Sequence, residues 1–408
     1  MTVTAPRQAP AAEPTEREGW LTGRTVGWAG VTLAFLALFV ALPPLTIRSP
    51  VPTVVLGLAG IAAGFWAARH GEKRLGWGGV TASVVCIALG IAATKSGVTN
   101  LERVFVWSAL LAAMLRYATP LLFAALGGLF SERSGVINIG LEGMMLMGAF
   151  WGLWGAEVTG SWVIGLVVGM ASGAALALIH ALFSVSFRAD QIVSGFAMNF
   201  LALGITGYFF VSIYGSQGTP ENIPRAPNVT IPLLEDIPFL GDVVGRMSIL
   251  IWLGLLTCLL TWLVVFRTPA GLRLRSVGEN PLAAQTAGVS PARVRYMAVA
   301  VSGMLAAIGG AYLSIGFVGS FGENMTAGRG YIALAVLICG RWLPSGVLVF
   351  ACLFGFFTAL AQRLDVFSEQ AATLFLALPY VITLIAVAGV VGRSIPPAAI
   401  HARRRMPR

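Results

Sequence analysis

From about Val26 to Arg393 the chain is a succession of apolar runs, each near the length that crosses a bilayer. A helix rises about 1.5 Å per residue, so about 20 apolar residues span a hydrocarbon core of about 30 Å. Such runs are marked at 26–42, 51–68, 77–93, 105–129, 138–157, 161–185, 190–213, 247–266, 295–317, 329–341, 345–362 and 372–392. The tenth is too short to cross comfortably and reads as a half-helix. The expected fold is therefore all-α, a polytopic membrane protein with about 10–12 transmembrane helices. Only 11% of the 408 residues are charged and the mean hydropathy is +0.83, which excludes a soluble domain of this size.

Charge places the helices. With both termini in the cytoplasm, nineteen of the 27 Lys and Arg fall on the inner side, seven on the outer side, and Arg116 within a span. That asymmetry follows the positive-inside rule and accounts for the net charge of +10 without any nucleic-acid partner. Residues 1–23 read as a disordered cytoplasmic tail, 24–103 as additional transmembrane helices, 104–393 as the main transmembrane domain, and 394–408 as a basic cytoplasmic tail. The longest outer loop, Tyr214 to Arg246, holds Pro220, Pro224, Pro227, Pro232 and Pro238 and should form an extended or turn-rich cap. Cys86, Cys258, Cys339 and Cys352 lie in apolar runs without CxxC spacing and read as small buried hydrophobes.

Polar residues inside apolar runs are expensive and mark sites or pathways. The richest stretch is ERSGVINIGLEGMMLMGAF (Glu132 to Phe150). Gly135, Gly140 and Gly143 weaken a helix there, and Asn138 and Glu142 lie four apart on one face. A broken helix would place a half-helix N-terminus near the bilayer interior, with Asn138, Glu142 and Gly143 beside a transport path. The plainer reading is a cytoplasmic turn followed by a helix whose dipole Glu142 complements. In RADQIVSGFAMNFLALG (Arg188 to Gly204), the residues Gln191, Gly195, Asn199 and Ala202 share a stripe that either packs closely or lines a path. In TAGRGYIALAVLICGRW (Thr326 to Trp342), Arg329, Gly330 and Tyr331 open the short tenth segment. Its glycines could form, with those around Glu142, a degenerate repeat of paired broken helices; Arg329 could equally be an interfacial anchor. Gly165, Gly169 and Gly173 form a double GxxxG for tight packing, within the chain or against a second subunit. Arg116 needs a partner, for which Glu142 is one candidate.

The inner loop from Arg267 to Arg295 carries Asn280 as an N-cap, Pro281 at the first helical position and Gly288 as a stop, which predicts a short exposed helix over about 281–287. Ser290 and Pro291 open the next span in the same way. Such a helix suits a partner's groove, or is an ordinary surface helix.

Absences matter too. There is no GxxxxGK[ST] loop, no HExxH and no GxSxG, so no catalytic residues and no metal site are expected.

Three stretches resemble one family: Ala118 to Phe150, Gly271 to Val289 and Gly328 to Gly355. They are similar to permease subunits of ATP-driven (ABC) importers of the branched-chain amino acid and ribose superfamily, and within it to the nucleoside, or simple-sugar, branch. The resemblance covers roughly 104–393 and implies a permease fold with discontinuous helices in a bacterial cell membrane. It implies a cytoplasmic ATPase that uses the ATP, no cofactor on this chain, a second permease subunit (a copy or a different chain), and a lipid-anchored or periplasmic-type binding protein outside. By the same analogy Gly278, Glu279, Asn280, Pro281, Ala283 and Ala284 belong to a coupling helix received by the ATPase. Asn138, Glu142, Gly143, Gln191, Asn199, Arg329, Gly330 and Tyr331 would lie near the path for a purine-nucleoside-like substrate. Ribose-type sugars and branched-chain amino acids remain alternatives. An ion-coupled secondary transporter is a further one, disfavoured because Glu142 is the only acid read as lying well inside a span.

Overall fold

The computed structural model describes residues 22–41, 49–95, 106–365 and 397–398. The twelfth run, the N-terminal tail up to Leu21 and nearly all of the C-terminal tail lie outside the described residues. The chain divides into two compact units, residues 1–103 and 104–408.

In the first unit, α1 (Gly23–Ala41), α2 (Pro50–Arg69) and α3 (Lys73–Lys95) pack on one another. Glycine brings them close: a Cβ on Gly64 would sit 2.7 Å from the Gly76 carbonyl oxygen, and one on Gly60 2.5 Å from Ser83 Oγ. Such small-residue contacts replace the hydrophobic driving force that lipid cannot supply.

The second unit is built on two long helices, α4 (Trp107–Arg133) and α12 (Pro291–Ala311), the latter continued by a π-helical stretch over Tyr312–Val318. Between them come α5 (Leu141–Thr159), α6 (Trp162–Ala181), α7 (Gln191–Tyr214), α8 (Pro232–Glu235), α9 (Ile249–Arg267), α10 (Pro269–Glu279) and α11 (Pro281–Thr286). After α12 follow α13 (Arg329–Cys339) and α14 (Pro344–Asp365). Eight of the described helices are long and apolar enough to cross a membrane, and α13, at eleven residues, is not.

α12 packs along α4, α5 and α6, and α4 packs along α12, α13 and α14. Helix, break, helix, helix thus recurs, α4–α5–α6 against α12–α13–α14. The double GxxxG is spent inside the chain. Gly165 and Gly169 face the backbone of Gly152 and Gly148 on α5, and Gly173 faces Gly303 and Ala307 on α12.

The loop from Tyr214 to Arg246 is more ordered than its prolines suggest. β1 (Asn228–Thr230) pairs antiparallel with β2 (Arg246–Ser248), and Ala226 N–H donates to the Ile315 carbonyl at 3.0 Å. The loop from Arg267 to Arg295 holds two helices where one was expected. The signal for α10 was the same as for α11 and α12: a capping residue followed by proline. Thr268, Asn280 and Ser290 accept from Gly271, Ala283 and Arg293 N–H, and Pro269, Pro281 and Pro291 follow them.

Candidate functional site

The first break begins one turn later than the sequence suggests. α4 runs on to Arg133, so Glu132 lies in a helical turn and is 5% exposed rather than in a solvated loop. Gly135, at φ +85°, turns the chain, and Ser131 Oγ holds the turn by donating to the Val136 carbonyl at 2.7 Å. Residues 136–140 then run as irregular backbone through the interior. Buried backbone without a helix or sheet must find side-chain partners. Here it does. Ile137 N–H donates to Gln191 Oε1 at 2.9 Å, and His180 Nε2 lies 3.1 Å from the Ile137 carbonyl. Asn199 Nδ2 donates to the Ile139 carbonyl at 3.0 Å, and Gly140 N–H to Asn138 Oδ1 at 3.1 Å. Asn138, fully buried, also donates to Ser302 Oγ on α12 at 2.9 Å.

Two helix N-termini meet where this segment ends. Each starts with backbone donors that have no partner in their own helix. At α5, Gly143 N–H donates to Asn199 Oδ1 at 2.8 Å. At α13, the donors go to Glu142: its carboxylate accepts from Thr326 Oγ1 at 2.6 Å, Gly328 N–H at 2.8 Å and Gly330 N–H at 2.5 Å. The carboxyl group sits at the N-terminal ends of both helices, where their unpaired backbone donors converge. Gly330 has no alternative: a Cβ there would sit 2.4 Å from Glu142 N. Arg116 is exposed and is not the partner of Glu142; the α13 turn takes that role.

Glu132 holds the far end of α13. Its Oε2 accepts from Trp342 Nε1 at 2.5 Å, and Arg133 donates to the Trp342 carbonyl at 2.8 Å. The stretch from Glu132 to Glu142 therefore runs beside α13 from its C-terminal turn back to its N-terminus, about 16 Å for eleven helical residues. Seven linker residues reach that far when extended, at about 3.3 Å each. α5 and α13 are both discontinuous helices that start at the same level.

All eight residues named for the path are brought to this junction, and most are engaged in holding it. Gly195, Asn199 and Ala202 form the buried face of α7 against α5. Arg329 is half-buried and donates back to the Met325 and Thr326 carbonyls at 3.0 and 3.1 Å. Tyr331 OH accepts from Asn199 Nδ2 at 2.9 Å, while its ring, 39% exposed, lies 6.1 Å from that of Phe196, 43% exposed. Those two rings are the accessible edge of the junction. Glu132, His180, Ser302 and Thr326 complete it and were not read from the sequence. His180 sits in an apolar run with no local polar company, and Glu132 sits in SER, which looks like a turn. Among the described residues no group of His, Cys, Asp or Glu could hold a metal.

Between α10 and α12, α11 presents Leu282, 61% exposed, with Ala283, Gln285 and Thr286. Gly278 and Ala284 face inward: a Cβ on Gly278 would meet the Arg133 carbonyl oxygen at 2.0 Å, and Ala284 is 4% exposed. Glu279 and Asn280 are exposed.

The family model described as branched-chain amino acid transport system / permease component matches residues 110–387. The guanosine ABC transporter permease protein NupQ of Bacillus subtilis is 41% identical over 314 residues, 73% of this chain and 97% of that protein. The nucleoside ABC transporter permease protein NupC of Lactococcus lactis is 38% identical over 300 residues, 71% of this chain and 94% of that protein. The putative glucose ABC transporter permease protein TsgC13 of Haloferax volcanii is 40% identical over 258 residues, 62% and 77% of the two chains. No solved structure matches.

Proposed function

This chain belongs to the branched-chain amino acid transport system / permease component family, and from that premise we propose that it forms the passage of an ATP-driven importer of purine nucleosides. It is a multi-pass membrane transport subunit of the ABC permease type. The substrate class rests on one observation: the similarity to guanosine and nucleoside permeases runs over nearly their whole length. A sugar reading is favoured by the similarity to the putative glucose permease, over a smaller share of both chains.

In this reading the substrate passes the edge formed by Tyr331 and Phe196, beside the paired helix starts at Glu142. An aromatic pair there suits a flat base, by stacking. Asn138, Gly143, Gln191 and Asn199 shape that wall from behind. Selection falls largely to an extracellular binding protein. A cytoplasmic ATPase receives α11, chiefly through Leu282 and its neighbours, and nucleotide closure there moves α10–α11 and switches access. No cofactor is bound by this chain, and both termini lie in the cytoplasm of a bacterial cell.

The test is uptake of radiolabelled guanosine and adenosine in cells with and without this gene, with excess ribose, glucose or leucine as competitors. Loss of nucleoside uptake on deletion, indifferent to the competitors, supports the reading. Normal nucleoside uptake with lost uptake of a sugar or amino acid moves the substrate class.

A further inference from the structure

A cleft of about 470 Å³ lies where α9, α10 and α12 meet. Phe130, Val264, Leu274, Met297, Ala298 and Val301 form its apolar walls. Its mouth is of opposite character. Arg273 and Arg293 stand there, both exposed, beside Ser290, the N-cap of α12. Among the described residues no carboxylate lines the cleft and neither arginine is in an ion pair. The start of a long helix adds its own preference for negative charge at that spot.

The depth of the cleft separates its possible occupants. Val301 lies ten residues beyond Pro291, about 15 Å along α12. Both α9 and α12 are helices that cross the membrane by length and composition. The floor therefore reaches hydrocarbon depth, while the mouth stays at the helix ends. A water-soluble partner could cover the mouth but could not follow the floor. An acyl chain can do so, and basic recesses between helix ends are suited to acidic headgroups.

We propose that this cleft binds an anionic phospholipid, its phosphate between Arg273 and Arg293 and an acyl chain along Phe130, Met297 and Val301. Ala287, Gly288 and Val289 form part of the rim, so a bound lipid would brace the elbow between α11 and α12. The site is independent of which solute the permease carries.

The test uses the full-length chain purified in detergent and native mass spectrometry with equal amounts of phosphatidylglycerol and phosphatidylcholine. Preferential retention of phosphatidylglycerol is expected, falling about tenfold in the Arg273→Gln/Arg293→Gln variant while phosphatidylcholine retention is unchanged. Met297→Trp, which fills the floor from an exposed position, should lower retention of both lipids. Equal retention of the two lipids in the unaltered chain would overturn the proposal, as would a preference that survives loss of both arginines. Displacement of the lipid by millimolar inorganic phosphate would show a free-anion site instead. Displacement by the cytoplasmic ATPase would assign the cleft to that partner.

Discussion

Gly330 N–H donates to Glu142 Oε2 at 2.5 Å, and this contact ties the start of α13 to the start of α5. With the Thr326 and Gly328 donors it gives one carboxylate three partners from a segment 184 to 188 residues away. Neither helix start closes its own donors: those of α13 go to Glu142 on α5, and that of Gly143 on α5 goes to Asn199 on α7. Those cross-helix contacts give the junction a discrete geometry that can shift as a unit, which a gated passage needs.

Glu142→Ala should therefore lower stability and uptake together. The loss would leave the Gly330 N–H buried and unpaired and the part-buried Gly328 N–H without its acceptor, at about 1–3 kcal/mol for an unsatisfied buried donor. Thermal unfolding of the purified chain and nucleoside uptake should both fall sharply. Glu142→Gln keeps one acceptor and should fall between. Unchanged unfolding with lost uptake would assign Glu142 to solute contact alone.

Gly330→Ala tests the same contact sterically. The new Cβ would meet Glu142 N at 2.4 Å and Cα at 2.5 Å, both backbone atoms that cannot step aside. The α13 start must move, and uptake should be lost even though alanine is the better helix former. Gly204→Ala in α7 is the matched control, since nothing lies within 4 Å of the added carbon. It should raise stability by about 0.5–1 kcal/mol and leave uptake intact.

The junction was half legible in the sequence. Asn138, Glu142, Gln191 and Asn199 stood out because amides and acids are rare in apolar runs, and the structure does bring them together. Their engagement could not be read. Asn199 was a choice between close packing and a path, and its stripe proves to be the face packed on α5, with hydrogen bonds to the break at Ile139, to the α5 start at Gly143 and to Tyr331 on α13. Glu132 was invisible because Arg133 beside it mimics a solvated turn; only the return of the chain along α13 buries it. The capped helices between α9 and α12 were legible from cap-proline pairs, and Thr268–Pro269, which opens α10, carries the same signal as the Asn280–Pro281 and Ser290–Pro291 pairs that were read. The partner of a small-residue stripe such as Gly165, Gly169 and Gly173 is fixed only by tertiary packing.

Leu282→Asp should abolish co-purification of the ATPase while leaving membrane insertion and unfolding temperature unchanged. The side chain is 61% exposed on a helix whose inward positions are Ala284 and the adjoining Gly278, so it has no fold to support. Asn280→Ala acts differently. It removes the cap that accepts from Ala283 N–H at 3.1 Å, costs about 1 kcal/mol locally, and should weaken association several-fold rather than abolish it. Normal co-purification in both variants would remove α11 from the coupling contact.

Asn199 and Tyr331 offer a quantitative check on whether the junction works as one network. Tyr331→Phe deletes an acceptor, but Asn199 Nδ2 keeps the Ile139 carbonyl at 3.0 Å, so the cost should be about 1 kcal/mol or less. Asn199→Ala leaves Gly143 N–H and the Ile139 carbonyl without their partner in a buried setting, at about 1–3 kcal/mol for each. Once Asn199 is gone, the Tyr331 hydroxyl has lost the donor that held it. The double variant should then unfold at nearly the same temperature as Asn199→Ala alone, so the two effects are not additive. Additive shifts in detergent unfolding would mean that the hydroxyl is held by other groups, and that the α13 start does not depend on α7.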